Sequence, residues 1–126
     1  MGETRIEIEI KGKRKKETVN VLVDTGATLT VISEKILESL GIRKTEEVEV
    51  ELADGKVVKR FLGEAKITLD SKSLTTRVIF GKKSDTQVLG TVVLEELGLA
   101  VDPIRKRIIP VRYLFMKMGT VENKAG

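Results

Sequence analysis

The sequence contains no histidine and no cysteine. Without them a Ser-His-Asp or Cys-His nucleophilic centre cannot be built, nor a zinc hydrolase of the His-Glu-x-x-His kind. A structural zinc site of Cys and His and any disulfide staple are excluded with them. Acid–base chemistry is left to Asp, Glu, Lys and Tyr, with the carboxylates as the leading candidates.

Aromatic residues are also scarce, with three Phe, one Tyr and no Trp. The stacking platforms of single-strand nucleic-acid binders are therefore thin, although the net charge is +4. Basic residues cluster at Lys11, Lys13, Arg14, Lys15 and Lys16 and again at Arg105, Lys106 and Arg107. The first cluster falls where a hairpin turn is expected, so it reads as a solvated turn, and a nucleic-acid partner is not expected. No apolar run reaches the roughly 20 residues that span a bilayer, and no signal-peptide core precedes the first charged residues. A cytoplasmic location is expected and no membrane partner. Glutamine occurs once (Gln87) and asparagine twice (Asn20, Asn123), a bias that resembles proteins of hot environments.

What is present is one domain's worth of chain: 126 residues, 40% hydrophobic and 33% charged. Arg5 to Ile10 alternates strictly between polar and apolar, as a half-buried strand does. Gly12 marks a turn, and Thr18 to Val23 returns as a second strand. Glu46 to Leu52 alternates again, and Asp54-Gly55 predicts a hairpin turn with both residues at positive φ. Val57-Val58 opens the returning strand, with Lys66–Leu69 and Thr75–Phe80 as a further pair. Ser33 is placed to cap a helix from Glu34 to Leu40, with Gly41 ending it; Thr91 is placed to cap Val92 to Leu97, with Gly98 ending that one. Ile108 to Phe115 predicts terminal strand material in which Pro110 must take an edge or a bulge. Val121 to Gly126 reads as a frayed tail. The fold class is mostly β with two short helices.

A weak internal repeat runs through this pattern. Leu37-Glu38-Ser39-Leu40-Gly41-Ile42 matches Leu94-Glu95-Glu96-Leu97-Gly98-Leu99, and each follows an apolar strand ending in glycine: Val21 to Gly26 first, then Val88-Leu89-Gly90. The expectation is one supersecondary unit used twice; two helices with similar ends would account for part of the likeness.

Chemistry concentrates in Val21-Leu22-Val23-Asp24-Thr25-Gly26-Ala27. The apolar triplet places Asp24 at the end of a buried strand, where a carboxylate is costly unless hydrogen-bonded or sharing a proton. Thr25 offers a small hydroxyl, and Gly26 allows the backbone to come close. An Asx turn, with Asp24 bonding only its own backbone, is the plainer alternative.

Asp24-Thr25-Gly26-Ala27 resembles the signature of aspartic peptidases, and its alanine form looks most like the retropepsins. Asp54-Gly55 falls about where that family's flap hairpin lies. Val88-Leu89-Gly90 followed by the helix at Thr91 resembles its second apolar-apolar-Gly strand and helix. The resemblance covers roughly Glu17 to Ile109 and is closest to the cellular retropepsin-like enzymes. It implies a closed β-barrel or sandwich with a flap, a retropepsin-like domain at residues 1–116, and a flexible tail at 117–126.

Two-lobed aspartic peptidases carry the motif twice, whereas here Val88-Leu89-Gly90 lacks the acid and Asp85-Thr86 runs into Gln87. One chain then supplies one carboxylate, and a homodimer is implied. The viral enzymes usually follow the motif with acidic residues that pair with an arginine after the second glycine. Thr28, Leu29 and Thr91 stand here instead, so another contact must hold the dimer, with Ile108 to Met116 as the candidate.

By the same resemblance, Asp24, Thr25 and Gly26 are the catalytic set, with Thr25 bonding across the interface. Ala27, Ala53, Asp54, Gly55, Lys56, Val88 and Leu89 would meet an extended peptide or protein substrate, with no metal or organic cofactor. A non-catalytic dimeric peptide-binding module on the same fold is the competing reading. A basic nucleic-acid binder is a third, and it gives Asp24-Thr25-Gly26 no role.

Overall fold

Alternation in the first residues becomes pairing in the computed structural model, which describes residues 3–111. Strand β1 (Arg5–Lys11) turns at Gly12, whose N–H bonds the Lys15 carbonyl at 3.0 Å, and returns as β2 (Lys16–Val23). Ile8, Ile10, Val19 and Val21 point inward. Arg5, Glu7, Thr18 and Asn20 face water, the expected period of two. A short β3 (Thr30–Ser33) leads straight into helix α1 (Glu34–Ser39).

The next hairpin joins β4 (Glu46–Glu51) to β5 (Val57–Leu69), and β6 (Lys72–Gly81) returns along β5. Then come β7 (Val88–Leu89), helix α2 (Thr91–Glu96) and a small hairpin of β8 (Leu99–Asp102) with β9 (Arg107–Pro110). The main sheet has the order β1-β2-β7-β3-β6-β5-β4, and β1 also pairs with β5. The first six of those strands therefore form a closed ring, and β4 hangs from the outer half of β5. Phe80, Leu37, Leu40, Ile32, Ile67 and Leu89 fill the interior, and both helices dock their apolar residues against it.

Several local expectations need correction. Ser33 precedes α1 but makes no capping bond, and Thr91 is the first residue of α2, whose cap position is Gly90. The Thr91 N–H is taken instead by the Ala27 carbonyl at 2.8 Å, which draws the helix start onto the loop after Asp24. Gly41 and Gly98 do end the helices at positive φ, +79° and +67°. At the β4–β5 turn only Gly55 has positive φ, +88°. The closing bond runs from the Leu52 N–H to the Lys56 carbonyl, so Ala53-Asp54-Gly55 is a three-residue loop with glycine last rather than a two-residue turn. Lys66–Leu69 is not a separate strand; it is the inner half of β5, continuous through the buried Gly63.

The repeat is also paired differently from expectation. The strand running directly into α1 is β3, as β7 runs into α2, so Val88-Leu89 corresponds to Val31-Ile32 rather than to Val21-Leu22. The two units exchange strands: β3 lies parallel to β6, and β7 lies parallel to β2. Strands β3 and β8 are additions to the sequence pattern, too short for alternation to mark them. Pro110 closes β9 opposite Leu99, at an edge as its missing N–H requires. Residues 112–116 of the expected terminal strand and the tail at 117–126 lie outside the described residues.

Candidate active site

Asp24 stands one residue beyond β2 and is half-buried. Its position is fixed from two sides. The parallel partner β7 takes the Asp24 N–H on the Leu89 carbonyl at 3.3 Å, one step after the Leu22 N–H meets the Gln87 carbonyl at 3.0 Å. Beyond Asp24 the chain folds back, the Ala27 N–H reaching the Asp24 carbonyl at 3.1 Å. The Gly26 N–H donates to Asp24 Oδ1 at 2.9 Å, which orients the carboxylate by an Asx-type bond. Thr25 is exposed, and its hydroxyl makes no hydrogen bond among the described residues.

The loop after the motif is locked onto α2. Thr91 N–H and Val92 N–H bond the carbonyls of Ala27 and Thr28 at 2.8 and 3.2 Å. The buried Gly90 N–H donates to Thr30 Oγ1 at 3.0 Å. A Cβ on Gly90 would stand 2.4 Å from the Thr28 carbonyl oxygen, so the contact requires glycine there. Gln87 adds a staple: its Oε1 accepts the Ser33 N–H at 2.8 Å and its amide nitrogen reaches the Asn20 carbonyl at 3.4 Å. Asp24 thus sits on a platform of three strands and a helix start.

Above this platform the β4–β5 hairpin roofs two adjoining clefts. One, of about 340 Å³, has Asp24 on its floor and apolar walls of Leu22, Val31, Val50, Leu52, Ile79 and Val88. Ala53, Arg60, Ser84, Asp85 and Thr86 complete it. The other, of about 480 Å³, begins at Gly26 and Ala27 and runs under Val48 and Val50 toward Arg77. Val31, Val50 and Ile79 are common to both. Together they make one trough beneath the hairpin, with the Asp24 carboxylate in its first part.

The structure brings five of the ten residues singled out by sequence onto the two clefts. Asp24, Ala53 and Val88 line the first cleft, and Gly26 and Ala27 the second. Asp54, Gly55 and Lys56 form the exposed hairpin tip and line neither; Asp54 Oδ1 accepts the Lys56 N–H at 2.9 Å. Leu89 is fully buried and serves Asp24 through its carbonyl from below.

Sequence reasoning missed a pair. Arg60 on β5 and Asp85 in the β6–β7 loop form a bidentate ion pair, Nε to Oδ2 at 2.7 Å and Nη2 to Oδ1 at 3.0 Å. Their side chains are only 13% and 15% exposed. The hydrogen bond from Arg60 holds the Asp85 carboxyl below its usual range, outweighing the upward push of burial, and the Lys82 N–H adds to it at 2.7 Å. Arg60 is shifted upward by the same bond. No local signal marks either partner, because they meet only when β5 and the β6–β7 loop pack. Among the described residues no set of three acidic side chains converges as a metal would require, and no helix is long and apolar enough to cross a membrane.

Residues 6–96 match the family described as gag-polyprotein putative aspartyl protease. Among solved structures, the EIAV protease complexed with the inhibitor HBY-793 has a TM-score of 0.67 at 22% identity, covering 80% of this chain and 93% of that one. A retropepsin-like aspartic protease from Rickettsia conorii has a TM-score of 0.56 at 20% identity, covering 81% and 78%. At such identities the likeness is one of fold. No curated protein matches the chain.

Proposed function

Because the chain belongs to the gag-polyprotein putative aspartyl protease family and has a retropepsin-like fold, we propose that it is an aspartic endopeptidase built as a homodimer around paired Asp24 carboxylates. The observation that carries this reading is the placement of Asp24. It is half-buried at the floor of an apolar trough, its oxygen oriented by the Gly26 N–H, beneath a hairpin that can cover a peptide.

A single carboxylate cannot act as base and acid together. The second comes from the same residue of a partner copy, consistent with one motif per chain and with two-fold symmetry as the commonest oligomer arrangement. Two carboxylates about 3 Å apart do not both ionise readily, so the pair shares one proton. The ionised member removes a proton from a water between them as that water attacks the scissile carbonyl. The protonated member donates to the carbonyl oxygen. The C–N bond then breaks as the leaving nitrogen takes the proton that the first carboxylate gained from the water, and a hydroxyl of the tetrahedral intermediate returns a proton to the second carboxylate.

Thr25, exposed and with its hydroxyl unbonded among the described residues, bonds across the two-fold and holds the pair rigid. Gly26 and Ala27 offer backbone groups to an extended substrate. The loop at Ala53, Asp54, Gly55 and Lys56 closes over it and excludes water, and Val88 lines the wall beside the dyad. Residues 1–116 form the peptidase domain in this reading, with 117–126 as its tail.

The test is cleavage of a peptide library between pH 3 and 7, at moderate and high temperature, by the wild-type chain and by Asp24→Asn. Cuts made by the wild type and lost in Asp24→Asn are expected. Equal cutting by both would remove Asp24 from the chemistry. A folded, dimeric wild type that binds peptides and cuts none would be the non-catalytic module instead.

A further inference from the structure

Arg60 occupies a particular place on the hairpin. It lies on β5 opposite Val48, two positions from Val58, whose partner Val50 lines both clefts. Its guanidinium crosses to Asp85, and its remaining nitrogen, Nη1, bonds the Lys59 carbonyl at 2.8 Å. The guanidinium is therefore held along its whole fork, in the geometry that gives arginine–carboxylate pairs their directional strength.

Asp85 is just as well fixed. Its N–H bonds the Lys82 carbonyl at 2.9 Å, and its Oδ2 accepts the Lys82 N–H, so the carboxylate belongs to a closed turn. That turn leads within two residues to Gln87, which is stapled to β2 and β3, and then to Leu89, which holds the Asp24 N–H. A continuous chain of bonds thus runs from the hairpin to the catalytic platform, with the Arg60–Asp85 pair as its upper member. Other ion pairs near the hairpin are looser: Arg77–Glu46 spans 3.6 Å, with side chains 54% and 52% exposed.

We propose that Arg60 and Asp85 are positioning residues that act as a strut, setting the height and angle of the β4–β5 hairpin over Asp24 and hence the grip on substrate. The proposal rests on the peptidase reading and deepens it. Neither side chain moves a proton in the reaction. The pair holds the roof from one wall of the first cleft, whose apolar residues make up most of the surface offered to the peptide. Losing the strut lets the hairpin swing more freely, so substrate is bound more weakly while the chemistry of a seated substrate is spared.

The experiment compares the wild type with Asp85→Asn, Arg60→Gln, the double variant, and Arg60→Lys, which keeps charge but loses the planar fork. Peptide-cleavage kinetics and amide hydrogen exchange are read on each. Either single change should raise KM about tenfold with kcat within about twofold, as expected when binding alone is lost. The double variant should be no worse than either single one, because the partners act as a unit. Arg60→Lys should lie between. Exchange should quicken in β4 and the outer half of β5 while β1 and β2 keep their protection. An unchanged KM, or exchange that quickens equally in the barrel and the hairpin, would show a pair that merely holds the fold and would overturn the proposal. If the wild type cuts nothing, the peptidase reading falls, and the exchange comparison still decides whether the pair anchors the hairpin.

Discussion

Thr30 is unremarkable in the sequence, yet it is 1% exposed and its hydroxyl satisfies the buried Gly90 N–H beneath the site. Thr30→Val keeps the shape and strands that donor, which should cost about 1–3 kcal/mol in denaturant unfolding. Gly90→Ala should be at least as damaging, because its Cβ meets the backbone at Thr28 and Leu29. A loss of roughly 1–3 kcal/mol is expected, together with reduced cleavage, since the displaced loop is the one that follows Asp24. Asp85 carries a pH signature. Its folded-state affinity for a proton is depressed, mainly by the bond from Arg60, so its stabilisation is complete above the unfolded aspartate value of about 3.9 and fades as pH falls through the lower folded value. Thermal melts should therefore show the gap between wild type and Asp85→Asn narrowing below about pH 4. Asp24 was legible from sequence because its signal is local: an apolar triplet, an acid and a glycine in one run. Thr30, Arg60 and Asp85 were not, since each has its meaning only in a partner far along the chain.

At the level of elements, the β4–β5 hairpin was readable because alternation and Asp54-Gly55 sit side by side. Its turn type was not, because loop length is set by where Leu52 and Lys56 pair. A Cβ added to Gly55, at φ +88°, would meet nothing within 4 Å, so substitution there is a matter of backbone strain alone. Gly55→Ala should cost roughly 1–2 kcal/mol locally. Amide exchange should report this as a looser tip with an unaltered barrel. The sequence pattern sets Val57-Val58 apart from Lys66–Leu69, and between them lies Gly63, a residue that weakens a strand pattern. In the fold its missing side chain makes room for the Arg43 carbonyl and the Phe80 ring, and the strand runs on. The Asp70-Ser71 turn between β5 and β6 has both residues at positive φ, 56° and 63°, a hairpin turn that the sequence does not advertise with glycine.

For the molecule as a whole, the proposed function with one acid per chain would make activity a property of pairs. Mixing Asp24→Asn into wild type at fixed total concentration, after exchange of subunits, should lower activity as the square of the wild-type fraction. A linear fall would mean that one chain holds a complete site. The retropepsin-like plan was visible in the order of motif, hairpin and second apolar strand. The exchange of strands between units was hidden, since periodicity identifies strands without identifying their partners. That exchange has a consequence for how the protein is made. Strand β7 is a wedge of two residues between β2 and β3, and it arrives after the rest of the ring has been synthesised. Until Leu89 is in place, the Asp24 N–H has no acceptor and α2 cannot clamp the loop that follows. A nascent chain on the ribosome therefore carries the acid before the Val88 wall of the first cleft and the Leu89 support beneath Asp24 are in place. On the proposed reading, a chain cut short before β7 and α2 would lack the support that holds Asp24 in place and would not cut peptides.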